Sequence, residues 1–102
     1  MHAVLITFTS SANLDDLVGP FTEYAQALQG VAGLVTKTWI QDGTTLGGFH
    51  LFTDRRAAEA YLASAMVAGL TANAAFSGFA IRHFAVLEGL SRITSNRLLA
   101  VT

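Results

Sequence analysis

Asp42-Gly43 stands between two β-rich runs, residues 34–41 and 46–53, and no other short feature restricts the fold of this 102-residue chain as much. Asp-Gly is a strong hairpin signal, because glycine takes a positive φ without a Cβ clash. The hairpin carries the chain's one tryptophan, Trp39, together with Lys37 and His50. Side chains alternate along a strand, so the length of the loop decides which of these share a face. An even loop, residues 42–43 alone or 42–45, places Trp39, Lys37 and His50 together. An odd loop, or a bulge at Gly47-Gly48, separates them. Those two glycines mark either such a bulge or a close approach of backbones.

The flanking segments supply the rest of an architecture. Residues 3–9 alternate, with Val4, Ile6 and Phe8 on one face and Leu5, Thr7 and Thr9 on the other, which predicts a strand. Leu14, Leu17, Val18, Phe21, Tyr24, Ala25 and Leu28 then recur at helical spacing behind Asn13 as N-cap, with Asp15 and Asp16 suiting the positive end of the helix. Pro20 predicts either a kink or a helix that begins near it, since proline deletes a backbone bond and crowds the previous turn. Gly30 and Gly33 end that helix. After the hairpin, Asp54 is the expected cap of a second helix with a small-residue stripe through Ala58, Tyr61, Leu62, Ala65, Met66 and Gly69. Gly78 then introduces a strand over 79–87, while 70–77 and the tail, 88–102, show no clear period. The order β-α-β-β-α-β predicts an α+β, ferredoxin-like fold: an antiparallel sheet with both helices on one face, forming a single domain over 1–102.

Composition bears on the other face of that sheet. Hydrophobic residues make up 52% and charged residues 13%, about half the usual charged share. A domain of this size cannot hide so much apolar surface alone. A homodimer whose second sheet covers the first, a dimeric α/β barrel, is the expected remedy. Net charge is −1, and Lys37, Arg55, Arg56, Arg82, Arg92 and Arg97 are scattered, so no basic stripe suits nucleic acid. Without cysteine there is neither a disulfide nor a thiolate ligand or nucleophile. His2, His50 and His83 lack metal-ligand spacing, and no metal is expected. No run is long enough to span a membrane, and 3–8 is too short for a signal-peptide core, so the expectation is a cytoplasmic protein without a membrane partner.

Several motifs together resemble a known family. Gly33-Leu34, Lys37-x-Trp39, Gly47-Gly48-x-x-Leu51-Phe52-Thr53-Asp54, Ala58-x-x-Tyr61-Leu62, Arg82-x-Phe84-x-Val86 and Leu90-Ser91-x-Ile93 are similar to the YdhR-type monooxygenases. These sit with the antibiotic-biosynthesis-monooxygenase-like dimeric α/β barrels. The resemblance covers roughly residues 33–94, and the first strand and helix by pattern only. It implies a ferredoxin-like dimer and an oxygenase that uses no metal, flavin or haem. The chain departs from the family pattern with His50 in place of a tyrosine, Ala32 in place of a proline, and Ala65 where a histidine can occur.

Candidate residues follow from both readings. His50, flanked by Phe49 and Leu51, is a core histidine or a base, histidine being the side chain suited to take a proton near neutral pH. Trp39, Phe52, Tyr61 and Lys37 are the expected substrate-binding residues, and Trp39 and Tyr61 also read as core aromatics. Arg82 either pairs with a carboxylate or steadies an anionic oxygen as a second catalytic residue. Its neighbour His83 points to the opposite face. The reading that results is a cofactor-independent monooxygenase for a small aromatic or polycyclic phenol. Two alternatives stand beside it: a non-oxidative isomerase or dehydratase in the same cavity, and a non-catalytic ligand-binding or structural dimer.

Overall fold

The computed structural model describes residues 1–95. In chain order the elements are β1 (His2–Ser10), α1 (Leu14–Leu28), β2 (Leu34–Asp42), β3 (Thr45–Phe52), α2 (Arg55–Leu62), α3 (Ala65–Thr71), β4 (Phe76–Ala85) and α4 (Glu88–Thr94). The strands form one antiparallel sheet in the order β2-β3-β1-β4. This is the ferredoxin-like α+β arrangement expected from the pattern. The sequence expectation for 96–102 lies outside the described residues.

Alternation in β1 settles which face is covered. Val4, Ile6 and Phe8 are buried toward the helices, whereas Thr9 on the other face is exposed. Val4 and Ile6 join Leu28, Phe52, Ala58, Tyr61 and Val67 in one cluster, while Phe8 joins Leu17, Leu46 and Phe76 in a second. Phe79 of β4 packs against both. The covered face is therefore one continuous core, and burial of its apolar side chains supplies the main stabilisation.

Local rules explain most of the boundaries. Asp54 caps α2, accepting a hydrogen bond from the Ala57 amide at 2.8 Å. At Asn13 the expected cap makes no side-chain bond, although its extended backbone does start the helix at Leu14. Pro20 lies inside α1, six residues after that start, so the helix neither begins at the proline nor breaks there. The stripe expected for one helix through Gly69 is divided at Ala63-Ser64 into α2 and α3. Ser64 donates its hydroxyl to the Tyr61 carbonyl at that joint, which competes with continuing the helix.

Strand β4 begins at Phe76, three residues earlier than expected, with Gly78 inside it at φ 64°. The β1–β4 register shifts there, from Thr7 opposite Ala80 to Thr9 opposite Ser77, leaving an extra residue in β4. A glycine at positive φ is what such a bulge requires. No helix among the described residues is long and apolar enough to cross a membrane.

Candidate functional site

The hairpin loop is two residues, Gly43 and Thr44, between the paired Asp42 and Thr45. Being even, it aligns Lys37 with His50 and Trp39 with Gly48, so Trp39, Lys37 and His50 share the helix-facing side. Gly47 and Gly48 carry no bulge; they are points of close approach. A Cβ on Gly47 would collide with the Ile6 carbonyl of the adjacent strand, and one on Gly48 would collide with Lys37 Cε and crowd His50 Cε1. The second glycine thus makes room for the two polar side chains that flank it in space.

These residues line a cavity of about 60 Å³ between the sheet and the helices. Ile6, Phe8 and Leu46 give it an apolar floor; Phe21 and Tyr24 come from α1, Tyr61 from α2, and Lys37, Trp39 and His50 from the hairpin. That volume is room for about two waters, and an empty apolar cavity that takes benzene is about 150 Å³. A second cavity of about 260 Å³ uses Lys37 and Trp39 as part of its own wall. Trp39 is 38% exposed and leans on Phe21, ring centroids 5.1 Å apart, and edge-on to Tyr24 at 6.3 Å. It stands at the boundary between the cavity and solvent.

His50 is 1% exposed. Its Nδ1 lies 3.2 Å from the Val4 carbonyl oxygen, an acceptor only, so Nδ1 carries the hydrogen and donates it. Nε2 is then a lone pair, and it is the one buried side-chain nitrogen or oxygen among the described residues without a hydrogen-bond partner. Burial, helped by the Lys37 charge and opposed by the Val4 and Gly48 carbonyls, pulls the imidazole down to about 4. The ring is neutral at physiological pH.

Above it, the Tyr24 and Tyr61 hydroxyls meet at 2.6 Å. Burial raises both phenols above their ordinary value, so both keep their protons. One hydrogen lies between the two oxygens, and the other remains for a further acceptor. Lys37 Nζ sits 3.5 Å from the centre of the Trp39 ring and 5.2 Å from that of Tyr24, in cation–π contact. Burial pulls the amine down to about 8.

Of the residues expected at the site, Trp39, Lys37, His50 and Tyr61 come together, and two do not. Arg82 is paired in register with Leu5, on the bare face of the sheet, with its guanidinium 4.9 Å from the Phe84 ring. It cannot reach the His50 cavity of its own chain, because the sheet lies between. Phe52 is 0% exposed and lies behind His50, rings 6.2 Å apart, within the core and outside the cavity lining. His83, by contrast, faces the helices and shares a 2.8 Å hydrogen bond with His2. Asn73 accepts from the Ala75 amide, as a turn residue. Tyr24 and Phe21 also belong to the site; their helical spacing is visible in the sequence, their meeting with Trp39 is not. Among the described residues no cluster of histidine, aspartate or glutamate side chains could hold a metal ion.

The description "Putative mono-oxygenase ydhR" belongs to a family model that matches residues 4–97. The chain belongs to the ydhR family. No curated protein matches it. Solved structures with the same fold include a protein from Deinococcus radiodurans described as a "putative antibiotic biosynthesis monooxygenase", with TM-score 0.67 and 16% identity, covering 84% of this chain and 92% of that one. SnoaB, a cofactor-independent oxygenase from Streptomyces nogalater, aligns with TM-score 0.68 and 19% identity over 83% of this chain and 91% of its own. MhuD, solved with two manganese protoporphyrin IX molecules per active site, aligns with TM-score 0.65 and 15% identity over 85% and 95%. Identities this low speak for fold alone, and what a ydhR family member does with its cavity must be argued from its own residues.

Proposed function

We propose that this protein is a cofactor-independent monooxygenase acting on a small aromatic or polycyclic phenol, with His50 as its base. The observation that carries this reading is the unpartnered Nε2 of a neutral, tautomer-fixed imidazole in an aromatic cavity. Membership of a monooxygenase family supports it. Nε2 accepts the ring hydroxyl of the substrate and takes its proton, leaving a phenolate or enolate rich enough in electrons to reduce dioxygen directly. For a substrate with a CH₂ group beside the ring, one oxygen atom is retained as a carbonyl and the other leaves as water. All the electrons come from the substrate. Trp39 and Tyr61 hold the ring and exclude water, and the spare hydroxyl hydrogen of the tyrosine pair steadies negative charge on oxygen.

A ring larger than the cavity enters by moving Trp39 and Lys37, which divide it from the larger space beside them. The proposed subunit is a single domain of a cytoplasmic homodimer. Its partner copy covers the bare face, where a groove of about 650 Å³ is lined by Ala3, Phe49, Leu51, Phe84 and Leu87. Arg82 belongs to that interface.

A second reading, a non-catalytic ligand-binding or structural dimer, is favoured by one pair of facts: His50 is 1% exposed and the cavity is about 60 Å³. An oxygen electrode separates the two. With a panel of phenols and anthrone-like ketones, the first reading expects enzyme-dependent oxygen uptake that falls at least about a hundredfold in His50→Ala, the usual range for loss of a general base. Uptake unaffected by the substitution removes His50 from the role. Product formation without oxygen uptake points to an isomerase or dehydratase, and no turnover to a binding module.

A further inference from the structure

One charged side chain in the cavity has no part in the chemistry above. Lys37 is the only charged residue lining it, and no carboxylate lies within ion-pair distance of its ammonium among the described residues. The groups facing the same space are Tyr24 from α1, Tyr61 from α2, and Trp39 and His50 from the hairpin, none of which supplies a negative charge. Lys37 is half-buried, and its ammonium is met by the Trp39 and Tyr24 ring faces alone; a cation drawn partly out of water without a counter-charge favours binding of an anion beside it. Room for it is built into the backbone, since any side chain at position 48 would meet Lys37 Cε. The ammonium lies over the indole of Trp39, the face on which a substrate ring would stack.

We propose that Lys37 is the anion-binding residue of this site and selects ring compounds with an acidic hydroxyl, held as their oxyanions while the ring takes the place of the ammonium on Trp39. The inference rests on the reading of the cavity as a phenol site. The hydroxyl O–H bond breaks heterolytically, the electron pair stays on the oxygen facing Nζ, and the proton passes to His50 Nε2 or to water. An oxyanion between the two also relieves the repulsion that Lys37 exerts on a protonated His50. The flexible stem of lysine allows the ammonium to leave the indole and follow the oxygen. At neutral pH the amine is mostly protonated, and it loses its charge as pH rises through about 8.

Two chromophoric probes of similar size test this without any turnover: 4-nitrophenol, which ionises, and 4-nitroanisole, which cannot. Binding is read by quenching of Trp39, the only tryptophan, and ionisation of bound 4-nitrophenol by its visible phenolate band. The wild type is expected to bind 4-nitrophenol at least about tenfold more tightly than 4-nitroanisole and to lower the probe's pKa by about one to three units, the effect of a close opposite charge. Lys37→Met should lose both the preference and the shift. Lys37→Arg should retain them, and thermal melts of both variants should show that each is folded. Equal binding of the two probes by the wild type, binding of neither, or an unchanged preference in Lys37→Met overturns the proposal. Oxygen uptake is a separate readout: anion selectivity without uptake leaves Lys37 in its role and removes the oxygenase reading. Uptake with an unaltered Lys37→Met preference does the reverse.

Discussion

Charging His50 in the folded protein is costly, and that cost is measurable as stability. Its folded-state pKa lies at about 4 against an ordinary 6.5, so between those values the unfolded chain binds a proton that the folded one refuses. Stability from this residue is therefore full above pH about 6.5 and is lost as pH falls toward about 4. A shift of this size corresponds to roughly 3 kcal/mol. In urea titrations across that range, His50→Gln is expected to flatten the acid limb of the stability profile. His2 is depressed in the same direction by burial, His83 and Arg55 and remains in the variant, so the limb should shrink without vanishing. An acid limb identical to that of the wild type would mean that His50 takes a proton as readily in the folded protein as in the unfolded chain. At this scale the sequence was partly legible. Alternation within the hairpin grouped Lys37, Trp39 and His50, because register is a local property once the loop is even. Phe52 also lies on the His50 face, but its depth behind the imidazole comes from α2 packing above it, which no spacing encodes. For Arg82 and His83 the opposition of faces was legible, whereas the assignment of each to a side needed the pairing of β4 with β1.

The hairpin is the element on which the site depends, and its two adjacent glycines do different jobs. Gly47 lets β3 lie against β1, where any Cβ would strike the Ile6 carbonyl, whereas Gly48 opens space filled by the end of a flexible lysine. Gly47→Ala must displace backbone and should cost about 3 kcal/mol or more, at the upper end of overpacking penalties. Gly48→Ala should cost less, because Lys37 can swing away, yet it should weaken binding of 4-nitrophenol as Lys37→Met does. Paired urea midpoints and probe titrations check this, and equal destabilisation by the two substitutions would contradict it. Elements were the most legible level of this fold. The signals at Asp54 and Asp42-Gly43 are chemical and act within a few residues. Pro20 sits inside α1 and does not begin it, because packing of the α1 stripe outweighs one lost backbone bond. The start of β4 was misplaced because Gly78 reads as a boundary, while in the sheet it is a bulge inside the strand.

For the whole molecule, the uneven distribution of apolar surface is the governing fact. One face of the sheet is buried under the helices, while on the other Phe49 is exposed, as are Leu87, Leu90 and Ile93 around α4. Surface of this kind in a chain with few charges favours self-association over a monomer. The proposed dimer therefore predicts that Phe49→Asp, at the centre of the bare face, yields a monomer in sedimentation velocity with a folded circular dichroism spectrum. A monomeric wild type at micromolar concentration, or a Phe49→Asp protein that still dimerises, would place the interface elsewhere. The fold class was readable from the order of periodicities, but the cavity was not. Its walls come from α1, α2 and the hairpin, and its volume depends on side-chain depths set only when all three pack together.

The hydroxyl contact between Tyr24 and Tyr61 joins α1 to α2 over that cavity, and either oxygen can be the donor. Exchanging the roles requires two O–H rotations and no movement of a heavy atom. The spare hydrogen can thus be presented from the side of either helix, so the roof of the cavity is indifferent to where a guest carries its second oxygen. In the proposed site a pair of this kind would widen the range of guests, and discrimination among them would fall to the Lys37 ammonium beside it.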